Sequence, residues 1–303
     1  MAGSATSTLF ARLRHDPTGI ADSAPPQLYF VISAVFHYLG PAFAVLLFAR
    51  VDVLGVAWLR IVSAALIFAL WRRPWRVLRR LDASGRRVLV AWGAVLAVMN
   101  SVFYLAIDRL PLGTVAAIEF VPVIGLAALG ARTLRNGGAL LLAVTGVYLL
   151  TDVRLEGEPL GFALAFANAV LFAAYIVLAH RVAGLAQLRP IDGLAASMLV
   201  AGVIVTPLGG WAVLPALVDP VAIAAGVGVG VSSSVIPYIA DQLAMRRLTR
   251  ASYALMVALL PATATAVGVV VLAQIPRPLE VVGVTLVVAG VAVHRQRTGP
   301  RGR

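Results

Sequence analysis

The sequence predicts an all-α polytopic membrane protein, with ten transmembrane helices in two inverted five-helix repeats. Three observations carry that expectation. The 303-residue chain is 61% hydrophobic and 13% charged, whereas soluble domains sit nearer ~45–50% and ~25%. Its apolar residues fall into runs of about 20, the length an α-helix needs to cross a ~30 Å hydrocarbon core. Its side-chain cations are all arginine, with no lysine, and they gather in alternate links between those runs. That spacing makes the formal charge of +12 an orientation signal set by the lipid bilayer, and no nucleic-acid partner is expected. With no cysteine there is neither a disulfide frame nor a thiolate metal site.

Residues 1–26 contain Arg12, Arg14 and the Pro25-Pro26 pair but no apolar core segment. They read as a disordered cytoplasmic lead-in and not as a signal peptide. The first repeat is placed at 27–152, with spans Gln27–Ala49, Val53–Trp71, Val88–Ile107, Pro111–Gly130 and Gly137–Thr151. An acidic external linker follows at 153–158. The second repeat, 159–294, holds Pro159–Ala179, Gly193–Leu214, Val221–Leu243, Ser252–Ala273 and Leu279–His294, and a basic cytoplasmic tail occupies 295–303. With this division 20 of the 25 arginines share the side of the amino terminus. Only Arg50, Arg109, Arg154 and Arg277 lie opposite, and Arg60 falls within a span. The bias places both termini in the cytoplasm.

The repeat has a local sequence mark. Leu105-Ala-Ile-Asp-Arg-Leu110 matches Leu243-Ala-Met-Arg-Arg-Leu248, and mid-span prolines follow at Pro122 and Pro261. Five spans is an odd number, so the second copy lies upside down relative to the first. Inverted repeats are a mark of secondary transporters, whose sites lie near the midplane between the copies.

Charges inside spans cost roughly 2.5–3.5 kcal/mol on insertion scales, so each one kept there is paired or used. Glu119 lies eight residues in from Pro111, and Arg60 seven in from Val53. At ~1.5 Å per residue both sit about 10–12 Å below the same surface. Two readings stand side by side. In one they form a gated pair, Glu119 taking a proton or a substrate amine and Arg60 a carboxylate. In the other the pair only fixes helix packing, or Arg60 snorkels outward. Asn100, with Tyr104 a helical turn later on the same face, lies at a similar depth. His37 and Tyr38 precede Pro41, which frees a backbone carbonyl and can open a polar cavity. Asn168, Tyr175 and Tyr238 are further cavity candidates, with interhelical hydrogen bonding as their simpler role. Asp241 near Arg246 reads as an interfacial pair.

Gly226-Val-Gly-Val-Gly230 lies inside a span with no preceding strand, so it predicts close helix packing and not a nucleotide loop. There is no His-Glu-x-x-His, no Gly-x-Ser-x-Gly and no Walker lysine. Neither an enzyme nor an ATP-driven pump is expected, and no metal or cofactor is called for.

Several motifs are distinctive together: Trp71-Arg-Arg-Pro-Trp-Arg76, Asn100 with Phe103-Tyr104, and Leu110-Pro-Leu-Gly113 leading to Ile118-Glu-Phe120. Phe172-Ala-Ala-Tyr-Ile176 and Ser232-Ser-Ser with Pro237-Tyr238 extend the set. On these the chain resembles the EamA-type members of the drug/metabolite transporter superfamily, most closely the threonine/homoserine exporter branch. The resemblance implies a ten-helix inverted-repeat carrier of the inner membrane exporting amino acids or related small metabolites; the inverted repeats themselves predict alternating access, and proton coupling is expected through Glu119. Glu119 falls on that family's Glu-Phe position, and Asp241 where relatives usually carry Glu. The chain departs from the pattern at Leu260-Pro261, where the family tends to Glu-Pro, at Ala273-Gln274, where it has Gly-Glu, and at Val121 in place of glycine. Export of hydrophobic drugs and a non-transporting membrane scaffold are the competing readings.

Overall fold

A computed structural model describes residues 25–122, 133–152, 158–183, 185, 188, 190–240 and 260–293, and among them the regular structure is entirely helical. α1 (Pro26–Leu47) opens on a proline at its first position, where a missing N–H costs nothing. α2 (Val53–Arg72) is started by Asp52, whose carboxylate accepts from Leu54 N at 2.9 Å, and stopped by Arg73 in the left-handed region at φ 51°. A short helix α3 (Trp75–Arg80) lies in the arginine-rich link. α4 (Ala83–Ile107) begins five residues before the predicted span because Asp82 caps it, accepting from Gly85 N at 2.8 Å. Its added turn, with Arg86 and Arg87, carries the helix beyond the apolar run.

α5 (Leu112–Glu119) is described only through Pro122, so the later part of the predicted fourth span lies outside the described residues. α6 (Leu134–Asp152) and α7 (Pro159–Ala183) follow. α8 (Pro190–Gly209) stops five residues short of its predicted end. There Gly209 presses onto the backbone of Leu54, and the chain turns into a 3-10 helix at Leu214–Val218. α9 (Pro220–Gly230) runs into a π-helical turn, Val231–Val235, that no local sequence signal announces. The chain closes with α10 (Leu260–Leu272) and α11 (Pro278–Val293). Asp241 and its expected partner Arg246 lie outside the described residues.

Among the described residues six helices are long and apolar enough to cross a membrane: Leu28–Leu47, Val53–Arg72, Ala83–Ile107, Pro159–Ala179, Ile191–Gly209 and Pro220–Ala240. Three shorter apolar ones, Leu134–Leu149, Leu260–Leu272 and Pro278–Val293, stand among them.

The helices pack across the two halves of the chain. α2 lies on α8, α5 on α10 and α6 on α11. α4 touches both α7 and α8, while α9 and its π turn touch α1 and α2. Glycines allow the closest of these approaches, as the sequence predicts for Gly226 and Gly230. A Cβ on Gly226 would lie 2.5 Å from Leu59 Cδ1, and one on Gly230 would strike Ser63 Oγ and come within 2.8 Å of Arg60 O. α9 is thereby seated directly against the turn of α2 that carries Arg60.

The loops segregate to two ends. At one end Arg50 Nη1 meets Asp219 at 3.4 Å, and Leu112 N donates to Gln274 Oε1 at 3.1 Å. At the other, Arg72 Nε donates to Asp192 at 2.8 Å and Arg135 Nε to Val293 O at 2.6 Å. The arginine-rich link 72–87 belongs to this second end.

Candidate functional site

Two charged side chains are buried midway between the ends, Arg60 at 5% exposure and Glu119 at 7%. They do not form the direct ion pair that their matching depths suggest: among the described residues no Arg60–Glu119 contact falls within 4 Å. Depth fixes the level of a residue along its helix, but the rotation of each helix decides whether two side chains meet.

Arg60 turns instead toward the π-helical segment. Its Nε donates to Ser234 Oγ at 3.2 Å and its Nη2 to the carbonyl of Ser233 at 3.3 Å. Its guanidinium lies over the Tyr104 ring, 5.3 Å from the centroid, a cation–π contact strengthened by exclusion of water. The π turn matters here. An i→i+5 turn shifts the register of the helix, a device frequent at functional sites, and it coincides with the serines that meet Arg60. On its other side Gly40 of α1 lies so close that any Cβ would collide with Ser233 Oγ. Neither Ser233 nor Ser234 was singled out as a site residue from sequence. The signal was the triple serine in an apolar span, which reads equally well as helix–helix adhesion.

Glu119, the last residue of α5, is met by α7. Asn168 Nδ2 donates to Glu119 Oε1 at 3.1 Å. A carboxylate oxygen accepts, so the amide nitrogen must face it and the amide oxygen points elsewhere. Asn168 Oδ1 is buried with no hydrogen-bond partner, as are Tyr104 Oη and Ser233 Oγ. Asn168 and Ser233 are wholly buried, as is Tyr104. A buried polar atom without a partner costs about 1–3 kcal/mol. Three such atoms stand near the two buried charges, each with hydrogen-bonding capacity that no described residue uses.

The other sequence candidates divide. His37 is half-buried on α1 and meets the Tyr38 ring edge-on at 5.3 Å. The Arg60 charge acts on both His37 and Glu119, and the Glu119 charge on Tyr38, which places this turn of α1 beside the cluster. Asn100 is buried, but its Nδ2 bonds back to Leu96 O of its own helix at 2.8 Å, so this donor serves α4 itself. Tyr175 stands in an aromatic series: its ring is parallel to Phe172 at 6.2 Å and tilted to Trp92 at 5.6 Å, and Phe172 meets Phe120, next to Glu119. Tyr238 is half-buried and packs with the apolar side chains of α2, α4 and α8.

A separate small cleft opens at the end opposite the arginines, lined by Thr114, Thr265, Gln274 and Glu280 among others. Glu280 is 3% exposed, and its Oε2 accepts from Arg277 N at 2.9 Å, closing the first turn of α11. The sequence reading gave this carboxylate no role, because it stands at a span's end, where acids are ordinary.

Residues 159–295 match the model of the EamA-like transporter family. Similarity extends beyond them: the chain is 29% identical over 253 residues to the threonine/homoserine exporter RhtA of Escherichia coli (strain K12), covering 82% of this chain and 84% of that protein. With the exporter of the same name from Salmonella typhimurium (strain LT2) it shares 28% over 276 residues, 87% and 89% of the two chains. A solved crystal structure superposes with a TM-score of 0.57 at 18% identity, covering 91% of this chain and all of the other, a likeness of fold. The chain is thus a multi-pass membrane protein whose second half is similar to the EamA-like transporter family and which is similar over most of its length to proteins named as exporters.

Proposed function

We propose that this protein is a secondary transporter of the inner membrane that exports threonine- or homoserine-like amino acids, or related small metabolites, by alternating access. The observation that carries the proposal is the central cluster: two buried, unpaired ionisable side chains surrounded by hydrogen-bonding atoms that lack partners. A scaffold protein gains nothing from such an arrangement, since apolar packing there is more stable.

The packing supports ten spans in two inverted repeats. Let each helix of the first half exchange with the one five spans later. The α2–α8, α5–α10 and α6–α11 contacts then map onto themselves. The α4–α8 contact maps onto α9–α2, α4–α7 onto the π turn with α1, and α5–α7 onto α10–α1. A transporter built this way rocks one half against the other around a midplane site. The cluster is buried between the halves, as an occluded intermediate requires. Among the described arginines, Arg50, Arg109 and Arg277 lie at the end that carries Gln274, and nine others lie at the opposite end, a bias that supports cytoplasmic termini.

Glu119 is the group through which a proton or a substrate amine is handled. The test is efflux of radiolabelled threonine and homoserine from loaded vesicles with and without a proton gradient. The native protein exports, and Glu119→Gln, which retains a partner for Asn168, loses at least about ten-fold in rate, about 1.4 kcal/mol of barrier. Equal rates for the two proteins would remove Glu119 from the mechanism. No export of either compound by the native protein would remove the substrate assignment.

A further inference from the structure

The central cluster has an internal polarity. On the α2 and π-turn side stands a guanidinium. Its donors reach only neutral oxygens, Ser234 Oγ and Ser233 O, and among the described residues no carboxylate pairs with it. Next to it, on the ring the guanidinium covers, is the Tyr104 hydroxyl, buried and with no partner among the described residues. A desolvated cation with a hydroxyl donor at its side, but no anion, is a seat for an anion. On the α5 and α7 side stand Glu119, which accepts from Asn168 Nδ2, and the amide oxygen of Asn168, which that bond turns away from the carboxylate and which has no donor among the described residues. A carboxylate beside an acceptor without a donor is a seat for an ammonium group.

Resting on the transporter reading above, we propose that these are two distinct subsites for the two ends of one zwitterion. Arg60, with Tyr104 Oη, takes the α-carboxylate. Asn168 Oδ1, with Glu119, takes the α-ammonium. Arg60 and Glu119 do not meet because each is held for the substrate: the serines and the Tyr104 ring hold one, and Asn168 holds the other. A zwitterion joins the two poles through its own dipole and supplies at once the anion, the donor for Asn168 Oδ1 and the acceptor for Tyr104 Oη. Compounds lacking either charge satisfy half of the cluster and leave the other half as it stands. Asn168 is then a specificity-determining residue and not helix adhesion alone.

The test measures binding of L-threonine, L-threonine methyl ester and N-acetyl-L-threonine to the full-length protein in lipid nanodiscs, alongside threonine efflux from vesicles. The ester lacks the carboxylate charge and the N-acetyl compound lacks the ammonium. Arg60→Gln weakens threonine and N-acetylthreonine at least ten-fold and leaves the ester unchanged. Asn168→Leu weakens threonine and the ester by a similar factor and leaves N-acetylthreonine unchanged. Tyr104→Phe removes only an unpartnered hydroxyl and so keeps the fold. It repeats the Arg60 pattern at smaller size and carries the test if Arg60→Gln does not fold. Native export of threonine with losses that ignore which charge the ligand carries would overturn the two-pole assignment alone. A native protein that neither binds nor exports threonine would overturn the amino-acid reading and the assignment with it.

Discussion

Charge is handled in opposite ways at the ends of this molecule and at its centre. At the ends each described ion pair joins an arginine to an aspartate: Arg50 with Asp219, Arg72 with Asp192 and Arg109 with Asp108. These pairs are at least partly exposed, where an ion pair contributes only ~0–1 kcal/mol and its loss is easily compensated by water. At the centre, where pairing would be strongest, Arg60 and Glu119 are held by neutral neighbours and kept from each other. The contrast separates two tasks. On the transporter reading proposed above, end charges staple loops, whereas central charges are kept available at a cost in stability for a substrate that comes and goes.

The largest effect comes from breaking the support of the centre. Gly230 lets α9 rest on the Arg60 turn of α2, with Arg60 O only 2.8 Å from where a Cβ would stand. Gly230→Leu forces α9 off α2 and withdraws Ser233 and Ser234 from Arg60. We expect a loss of about 3 kcal/mol, the upper part of the range for overpacking, visible as a fall in melting temperature in detergent and as loss of export. A leucine in place of the exposed Trp211 on the same side of the chain leaves both unchanged. If Gly230→Leu exports normally, the centre does not depend on the π turn.

How much of this arrangement is legible in the sequence depends on what each feature rests on. The long spans are legible because hydrocarbon thickness and helix rise together fix their length. α4 begins early, however, because Asp82 caps a turn that is not apolar. Arg60, Glu119 and Asn168 stand out because a polar group in an oily run must be explained. Their partners do not stand out. Sequence depth places Arg60 and Glu119 at one level, but helix rotation, set by contacts such as Gly226 on Leu59, turns them to different neighbours. Asn100 looks like a site residue and back-bonds within its own helix, since an amide one turn from a carbonyl can always do so. The π turn is tertiary in origin: nothing local in Val231-Ser-Ser-Ser-Val235 demands an extra residue in the turn, while Gly40 on one side and Arg60 on the other meet those serines.

A smaller change sharpens the comparison by its sign. Tyr104→Phe removes a buried hydroxyl that has no partner in the empty cluster. At a protein's end such a deletion is close to neutral. At the centre it relieves an unsatisfied group, and we expect the unliganded protein to gain about 1 kcal/mol while export slows. Thermal melting and efflux measured on one preparation check both halves. A variant both less stable and slower would mean that Tyr104 Oη has a partner in the resting protein.

The smallest effect belongs to the ends. Asp219 starts α9, accepting from Val221 N at 2.9 Å and Ala222 N at 3.2 Å, with Arg50 beside it. The Ala222 N–H first, then that of Val221 and the Arg50 charge, hold this carboxyl below its ordinary value. A carboxyl lowered on folding adds stability above its unfolded pKa of about 3.9 and loses it as pH falls through the folded value. Asp219→Asn keeps a capping oxygen but does not ionise. Melting temperatures of the two proteins should therefore differ slightly at neutral pH, and the difference should vanish as pH falls below about 4. High salt should shrink it as well, because Arg50 is exposed. The difference should not extend to transport at neutral pH, since the described side-chain bonds of Asp219 go to Arg50, Val221 and Ala222 and none goes to Arg60 or Glu119. If Asp219→Asn slowed export while leaving the melting temperature unchanged, the loop end would take part in the cycle, and the division of labour between ends and centre would fail.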